Sequence, residues 1–253
     1  MPVTGTGNAA RSAARPLSGG GTSALAWTGW GRRFPELDLT GCTSLFLVAP
    51  HPDDETLGFG AAAATLQSRG VKVQVVSVTD GDASYPGLPM RGRTKLARIR
   101  RTELRGATGV LGLPPPISLG LPDGEVSTHL CELADVLTTL LSKAPGGWCA
   151  ATWRGDGHPD HEAVGAAAAM ATDRTGDRLI EYPLWMWHWA NPNDDAVPWE
   201  RASRISPNRA GLERKWRAAE LFRTQLEPHR FSQAVLPPFV LDRLRSVGEV
   251  VFT

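Results

Sequence analysis

The chain has 253 residues, 42% of them hydrophobic, enough to bury one full core and short for two domains. Its 27 basic and 26 acidic side chains leave a net charge of +1, which gives no electrostatic case for nucleic acid or an anionic membrane surface. No stretch approaches the ~18 apolar residues of a membrane span, residues 1–24 lack the apolar core of a secretory signal, and the scattered Cys42, Cys131 and Cys149 form no CxxC pair; a cytoplasmic protein with reduced core thiols is expected.

Residues 1–24 are rich in Gly, Ser, Thr, Ala and Arg, so ordering them would cost more entropy than their contacts return. A flexible arm is expected there, or one ordered by a neighbouring subunit of a homo-oligomer, with one globular domain over 25–253. Trp27, Trp30 and Phe34 mark where packing begins. Residues 45–48 read as a fully buried strand, and 56–69 as a helix whose Gly58, Gly60 and Ala61 to Ala64 allow close packing, closed by Gly70. Residues 71–78, rich in β-branched side chains, predict a second strand parallel to the first through a right-handed crossover. A loop over 83–93 is a candidate lid. The helical period over 94–112 carries Leu96, Ile99, Ala107 and Val110 on one face and turns a charged pair, Arg100 and Glu103, toward the interior.

A short strand over 114–121 ends in the turn Pro122-Asp123-Gly124, and 128–143 is a one-sided apolar helix. The apolar run 148–152 is a further strand, and an Ala-rich helix follows His161 to about Asp173. Residues 179–189 read as a strand with Trp185, Trp187 and Trp189 on one face and His188 on the other. Such dense indoles pack in a core more often than they serve as a platform, but Trp187 is kept as a candidate substrate contact. Residues 191–207 read as a loop, 210–223 as a helix, 225–238 as irregular, 239–245 as a short helix and 249–252 as an edge strand. Alternating strands and helices argue for an α/β fold with a doubly wound, mostly parallel, Rossmann-like sheet and helices on both faces.

The chemistry collects at two strand ends, His51-Pro52-Asp53-Asp54-Glu55 and His158-Pro159-Asp160-His161. Each aspartate before a helix has a purely structural reading as a cap, but two matching strand ends facing one crevice favour a site. His51, Asp54 and His161 supply three mixed nitrogen and oxygen ligands, the set that leaves a catalytic Zn2+ an open position. Asp53, beside a ligand but not one itself, is the candidate general base. His158 is placed to stabilise an oxyanion or protonate a leaving amine, and Asp160 to accept the His158 ring N–H.

These motifs, with Arg100-Arg101-Thr102-Glu103 and Leu111-Gly112 between them, resemble the PIG-L (LmbE-like) zinc-dependent de-N-acetylases over roughly residues 44–190. The resemblance implies removal of an N-acyl group, most often acetyl, from a small amino sugar or glucosaminyl conjugate. It also implies that Arg100 contacts the sugar and that Asp123 hydrogen-bonds its hydroxyls. One position departs from the pattern of several members, which carry a tyrosine two residues before His158; this chain has Asp156. A carboxylate there would repel an oxyanion, so Asp156 is expected to orient His158, recognise substrate or serve the structure. Two alternatives stay open: an amidase acting on a non-sugar amide such as a thiol conjugate or natural-product intermediate, and a non-catalytic zinc-containing carbohydrate-binding protein. Asp53 speaks against the second, because binding alone needs no free carboxylate beside a metal.

Overall fold

The structure is a computed structural model that describes residues 7–228 and 233–253. Seven strands, β1 (Ser44–Ala49), β2 (Lys72–Thr79), β3 (Ile117–Leu121), β4 (Trp148–Thr152), β5 (Arg178–Tyr182), β6 (Ala202–Ile205) and β7 (Glu249–Phe252), form one sheet in the order β3-β2-β1-β4-β5-β7-β6. The first five strands are parallel, while β7 runs antiparallel to both β5 and β6. The helices are α1 (Gly7–Ala13), α2 (Ala24–Gly29), α3 (Asp54–Ser68), α4 (Met90–Leu111), α5 (Leu130–Leu141), α6 (Pro159–Thr175), α7 (Met186–Trp189), α8 (Arg209–Ala219), α9 (Arg223–Leu226) and α10 (Pro238–Val247).

Both faces of the central strands are covered, which is why their sequences are apolar without alternation. Leu47 and Val75 point into a core with Phe59 and Leu104, and their neighbours Val48 and Val76 point into a second core with Leu137 and Ala167. On the first face α3 packs so closely on β5 that a Cβ at Gly58 would overlap the Tyr182 ring. Tyr182 Oη in turn donates to Val48 O at 2.8 Å. From β1 the chain winds outward through β2 to β3, then returns to β4 and winds the other way through β5. The carboxyl ends of β1 and β4 therefore part company, and this is the crevice where open α/β sheets keep their ligands.

Several expectations are corrected. From Gly7 onward the polar N-terminal segment is not an unattached arm: α1 forms, Asn8 is buried with Nδ2 donating to Gly155 O at 2.9 Å, and Thr22 Oγ1 donates to Ala190 O at 2.6 Å. Residues 1–6 lie outside those described. The strand read over 179–189 ends at Tyr182, and Met186–Trp189 is a helical turn. Strand β7 is interior to the sheet, because β6, within the segment read as a loop, takes the edge. Helix α4 begins at Met90, which shortens the candidate lid. Cys42 and Cys149 are buried, but Cys131 is exposed. Among the described residues no helix is long and apolar enough to cross a membrane.

Candidate metal centre and active site

The turn after β1 puts Asp53 at the N-cap of α3 with φ 130° and ψ −31°, a region costly for any residue with a Cβ. Its carboxylate makes no capping bond and lines the cavity at the sheet's switch point instead, so the capping explanation fails for this residue. What holds the turn is Glu55, fully buried, whose Oε2 accepts the Asp53 backbone N–H at 3.1 Å.

His51, Asp54 and His161 bring one ligand atom each within 4.8 Å of one another. Asp54 Oδ2 lies 3.1 Å from His51 Nδ1 and 3.3 Å from His161 Nε2. Tetrahedral ligation with bonds of ~2.0–2.1 Å separates neighbouring ligand atoms by about 3.3 Å, so these atoms already stand at metal-site spacing. His161 Nε2 is buried and has no hydrogen-bond partner, an orphan that a cation would satisfy. The outward nitrogens fix the tautomers that ligation needs. His51 Nε2 faces Asp123 Oδ1 at 3.1 Å and Asp160 Oδ2 at 3.2 Å. His161 Nδ1 faces Asp156 Oδ2 at 2.8 Å. Burial opposes protonation, but Asp123, Asp160 and Asp54 raise the His51 ring well above its ordinary value, and Asp54 and Asp156 raise His161 to about 9; a cation at the shared point would displace the inward proton of each ring and leave the outward one on its carboxylate.

The carboxylates differ in charge state for physical reasons. Burial works to raise the Asp54 pKa, but the His161 charge beside it and the contact with His51 outweigh it and hold the carboxyl well below its ordinary range. Burial, then the Asp54 charge, push Asp53 well above its ordinary value, with Arg100 opposing. For His158, burial and then the charges of His161 and His51 push the ring down to about 3. His158 caps α6, and its Nδ1 accepts the Asp160 backbone N–H at 3.2 Å, so the neutral ring carries its proton on Nε2.

Two residues have contacts other than those expected, and for Asp156 the structural alternative is the one its contacts match. Asp160 does not accept from the His158 ring: its Oδ2 accepts Gly124 N–H at 2.8 Å, its Oδ1 accepts Val126 N–H at 3.2 Å, and its ring partner is His51. Asp156 serves His161 rather than His158, and being fully buried it also accepts the backbone N–H groups of Leu184, Trp185 and Met186 at 2.8–3.0 Å. Trp187 is away from the cavity, buried edge-on against Trp27 at 4.9 Å between ring centroids. His188 is buried as well: its Nε2 bonds Arg15 O at 2.7 Å and its Nδ1 lies 3.2 Å from Arg243 Nη1.

Asp123 lines the cavity while its second oxygen accepts Ala83 N–H at 2.6 Å. Arg100 lines it too, but is not paired with Glu103, which accepts the backbone N–H and hydroxyl of Thr224. One Arg100 nitrogen, Nη1, donates to Gly81 O at 2.5 Å; Nε and Nη2 are buried without a partner. Gly81 has φ +66°, and a Cβ there would fall on Arg100 Nη1, so only glycine permits the contact. The sequence reading missed Gln225, whose Nε2 donates to Pro52 O, and the apolar lining residues Leu57, Leu184, Leu236, Val240 and Leu244. Of these only Leu57 lies near a motif, and nothing local marks the others.

An open sheet whose switch point brings together a potential His-Asp-His metal site and a further buried carboxylate defines a class, the α/β proteins with a site there able to take a metal ion. The PIG-L family model, described as GlcNAc-PI de-N-acetylase, matches residues 46–172, half of the chain, and the protein belongs to that family. It is similar to a 1D-myo-inositol 2-acetamido-2-deoxy-alpha-D-glucopyranoside deacetylase of Mycolicibacterium gilvum, 27% identical over 60% of this chain and 61% of that one. A probable N-acetyl-alpha-D-glucosaminyl L-malate deacetylase 2 of Bacillus anthracis is 29% identical over 50% of this chain and 58% of its own length. The chain thus spans about three fifths of the curated relatives it matches. Among solved structures, the zinc-inhibited form of teicoplanin deacetylase Orf2 superposes with a TM-score of 0.64 at 20% identity, covering 83% of this chain and 97% of that one. The N,N'-diacetylchitobiose deacetylase of Pyrococcus horikoshii gives 0.56 at 21% identity, over 75% and 74%. At those identities the likeness shows the fold.

Proposed function

We propose that the protein is a zinc-dependent hydrolase that removes an N-acyl group from an amino sugar or glucosaminyl conjugate. The observation that carries the proposal is a buried, unliganded carboxylate, Asp53, lining the same cavity as the His51, Asp54 and His161 ligand atoms. The curated relatives with deacetylase names support the reaction class. Two imidazoles and one carboxylate are a donor set that catalytic zinc takes. Bound there, the ion would supply Lewis acidity, polarising an amide carbonyl and lowering the pKa of water toward ~7.

The side chains divide the remaining work. Asp53, with its raised pKa, takes a proton from the attacking water. His158, neutral with its proton on Nε2, donates a hydrogen bond to the carbonyl oxygen as negative charge develops. With Nδ1 already accepting the Asp160 N–H, the ring holds no second proton to give, so the proton held by Asp53 goes on to the departing amine nitrogen. Water has then been split between the acyl carbon and the amine, and the carboxylate is restored. Arg100 offers its two unpartnered nitrogens to the sugar hydroxyls. Asp123 and Asp160 keep His51 in its ligating tautomer, Asp156 does the same for His161, and Asp123 borders the sugar site as a further acceptor.

Amine release from a panel of N-acylglucosaminides, with and without a chelator, tests this directly. Chelator-sensitive release that returns on adding zinc is expected. Release from simple N-acyl amides but from no glucosaminide would select a non-sugar amide, a second reading that the apolar lining of the cavity favours. No release from either class, with zinc bound, would leave a binding protein.

A further inference from the structure

The cavity is two-sided, and its sides come from opposite sides of the switch point. Gly81, Ala83 and Ser84 follow β2, Arg100 is on α4, and Asp123 and Gly124 follow β3, all on the β2 side of β1. Leu184 and Trp185 follow β5, while Val240 and Leu244 are on α10, which leads into β7, all on the far side of β4. Leu57 joins these side chains from α3; its N–H donates to Asp53 O at 2.8 Å, so the apolar wall begins one helical turn from the proposed base. Leu184 is tied to the metal side as well, because its N–H and the His161 ring share the Asp156 carboxylate.

An acetyl group offers one methyl to this wall. The whole cavity, polar side included, measures about 220 Å³. Leu57, Leu184, Leu236, Val240 and Leu244 put five apolar side chains on one side of this cavity. A cavity that joins an apolar wall to a few convergent polar groups is the usual form of a small-ligand site. Arg243 also lines the cavity, but it is turned away from this role: Nε donates to Thr22 O at 2.6 Å, Nη2 to Gly20 O at 2.5 Å, and Nη1 lies against His188. Its donors strap the N-terminal segment behind α10.

We propose that the leaving acyl group is a medium-length saturated chain, hexanoyl to octanoyl, seated against Leu57, Leu184, Leu236, Val240 and Leu244, with the sugar on the Arg100 side. This rests on the amide-hydrolase reading and names the acyl half of its substrate. Burying apolar carbon favours binding by about fourfold per methylene, so even partial seating exceeds tenfold over four methylenes.

The test compares kcat/KM for N-acetyl-, N-hexanoyl- and N-octanoylglucosamine, and for octyl N-acetylglucosaminide, in which the chain sits on the sugar instead. The longer acyl groups should exceed acetyl by at least tenfold. Val240→Phe, and separately Leu244→Phe as a check on folding, should reduce the hexanoyl-to-acetyl ratio at least tenfold by filling the wall. Calorimetry with N-octanoylglucosamine and Asp53→Asn protein separates the two readings: octanoyl-selective binding without any wild-type hydrolysis would keep the acyl site and remove the hydrolase. Hydrolysis that favours acetyl, or the octyl glycoside, would overturn the acyl site and leave the hydrolase standing.

Discussion

The two strand ends that build the site share a tripeptide and use it in opposite ways. In His51-Pro52-Asp53 the imidazole stands among the metal-ligand atoms and the aspartate faces the cavity. In His158-Pro159-Asp160 the imidazole faces the cavity and the aspartate turns back to support His51. The difference is where the helix starts. Helix α6 begins at Pro159, with proline in the first-turn position it favours and His158 as N-cap. Helix α3 begins only at Asp54, with Asp53 as an N-cap of strained backbone. On the proposed roles, a shift of helix start relative to one motif converts a ligand into a hydrogen-bond donor and a base into a positioning group. A short motif therefore identifies a site without assigning its parts.

The same substitution at the same place in both tripeptides is the sharpest way to break this contrast. Asp53→Asn should retain zinc and lose activity by about 10²–10⁴-fold, since it removes a base and no ligand. Asp160→Asn should instead weaken zinc affinity by about 10–100-fold, because His51 loses a carboxylate that sets its tautomer. Titration against a competing chelator, with kcat measured at saturating zinc, separates the two. If both variants lose turnover at full zinc occupancy, the two aspartates share a role and the contrast fails.

What the sequence carried, and what it did not, follows from the range of the interactions. His51, Asp54 and His161 were readable because local turn chemistry places them at strand ends, and the parallel sheet followed from buried β-branched runs. The partner of Asp160 was not readable: His158 is two residues away, while His51 is 109 residues away and meets it only through the β1–β4 pairing. Trp185, Trp187 and Trp189 have the spacing of a strand, but over one helical turn the same spacing puts the first and third together and the second opposite. Trp187 accordingly packs on Trp27, while Trp189 Nε1 donates to Asp156 O at 2.8 Å. The apolar wall from Leu184 to Leu244 lies outside the matched residues 46–172, and ordinary core leucines and valines give no local sign that they will border a cavity.

A smaller effect probes the support beneath Asp53. Burial drives the Glu55 carboxyl up from 4.5 to about 7, against the lowering bonds from Thr56 and the backbone. The folded state therefore binds this proton more tightly than the unfolded state. Its contribution is complete below pH 4.5 and is lost as pH rises through about 7. Glu55→Gln removes that titration while keeping an acceptor for the Asp53 N–H. Its melting temperature should gain on wild type by an amount on the order of a few degrees between about pH 5 and about pH 8. A pH-independent difference would show Glu55 to be ionised in the fold and would remove this account of the turn.

The central claim is that one divalent ion is held by His51, Asp54 and His161 with Asp53 left free beside it. Metal analysis of wild type, His161→Ala and Asp53→Asn, each purified with limiting zinc and gel-filtered, tests it most directly. The account predicts one equivalent in wild type and in Asp53→Asn, and a strongly reduced content in a folded His161→Ala protein. Full zinc in His161→Ala, or its loss in Asp53→Asn, would contradict the ligand set.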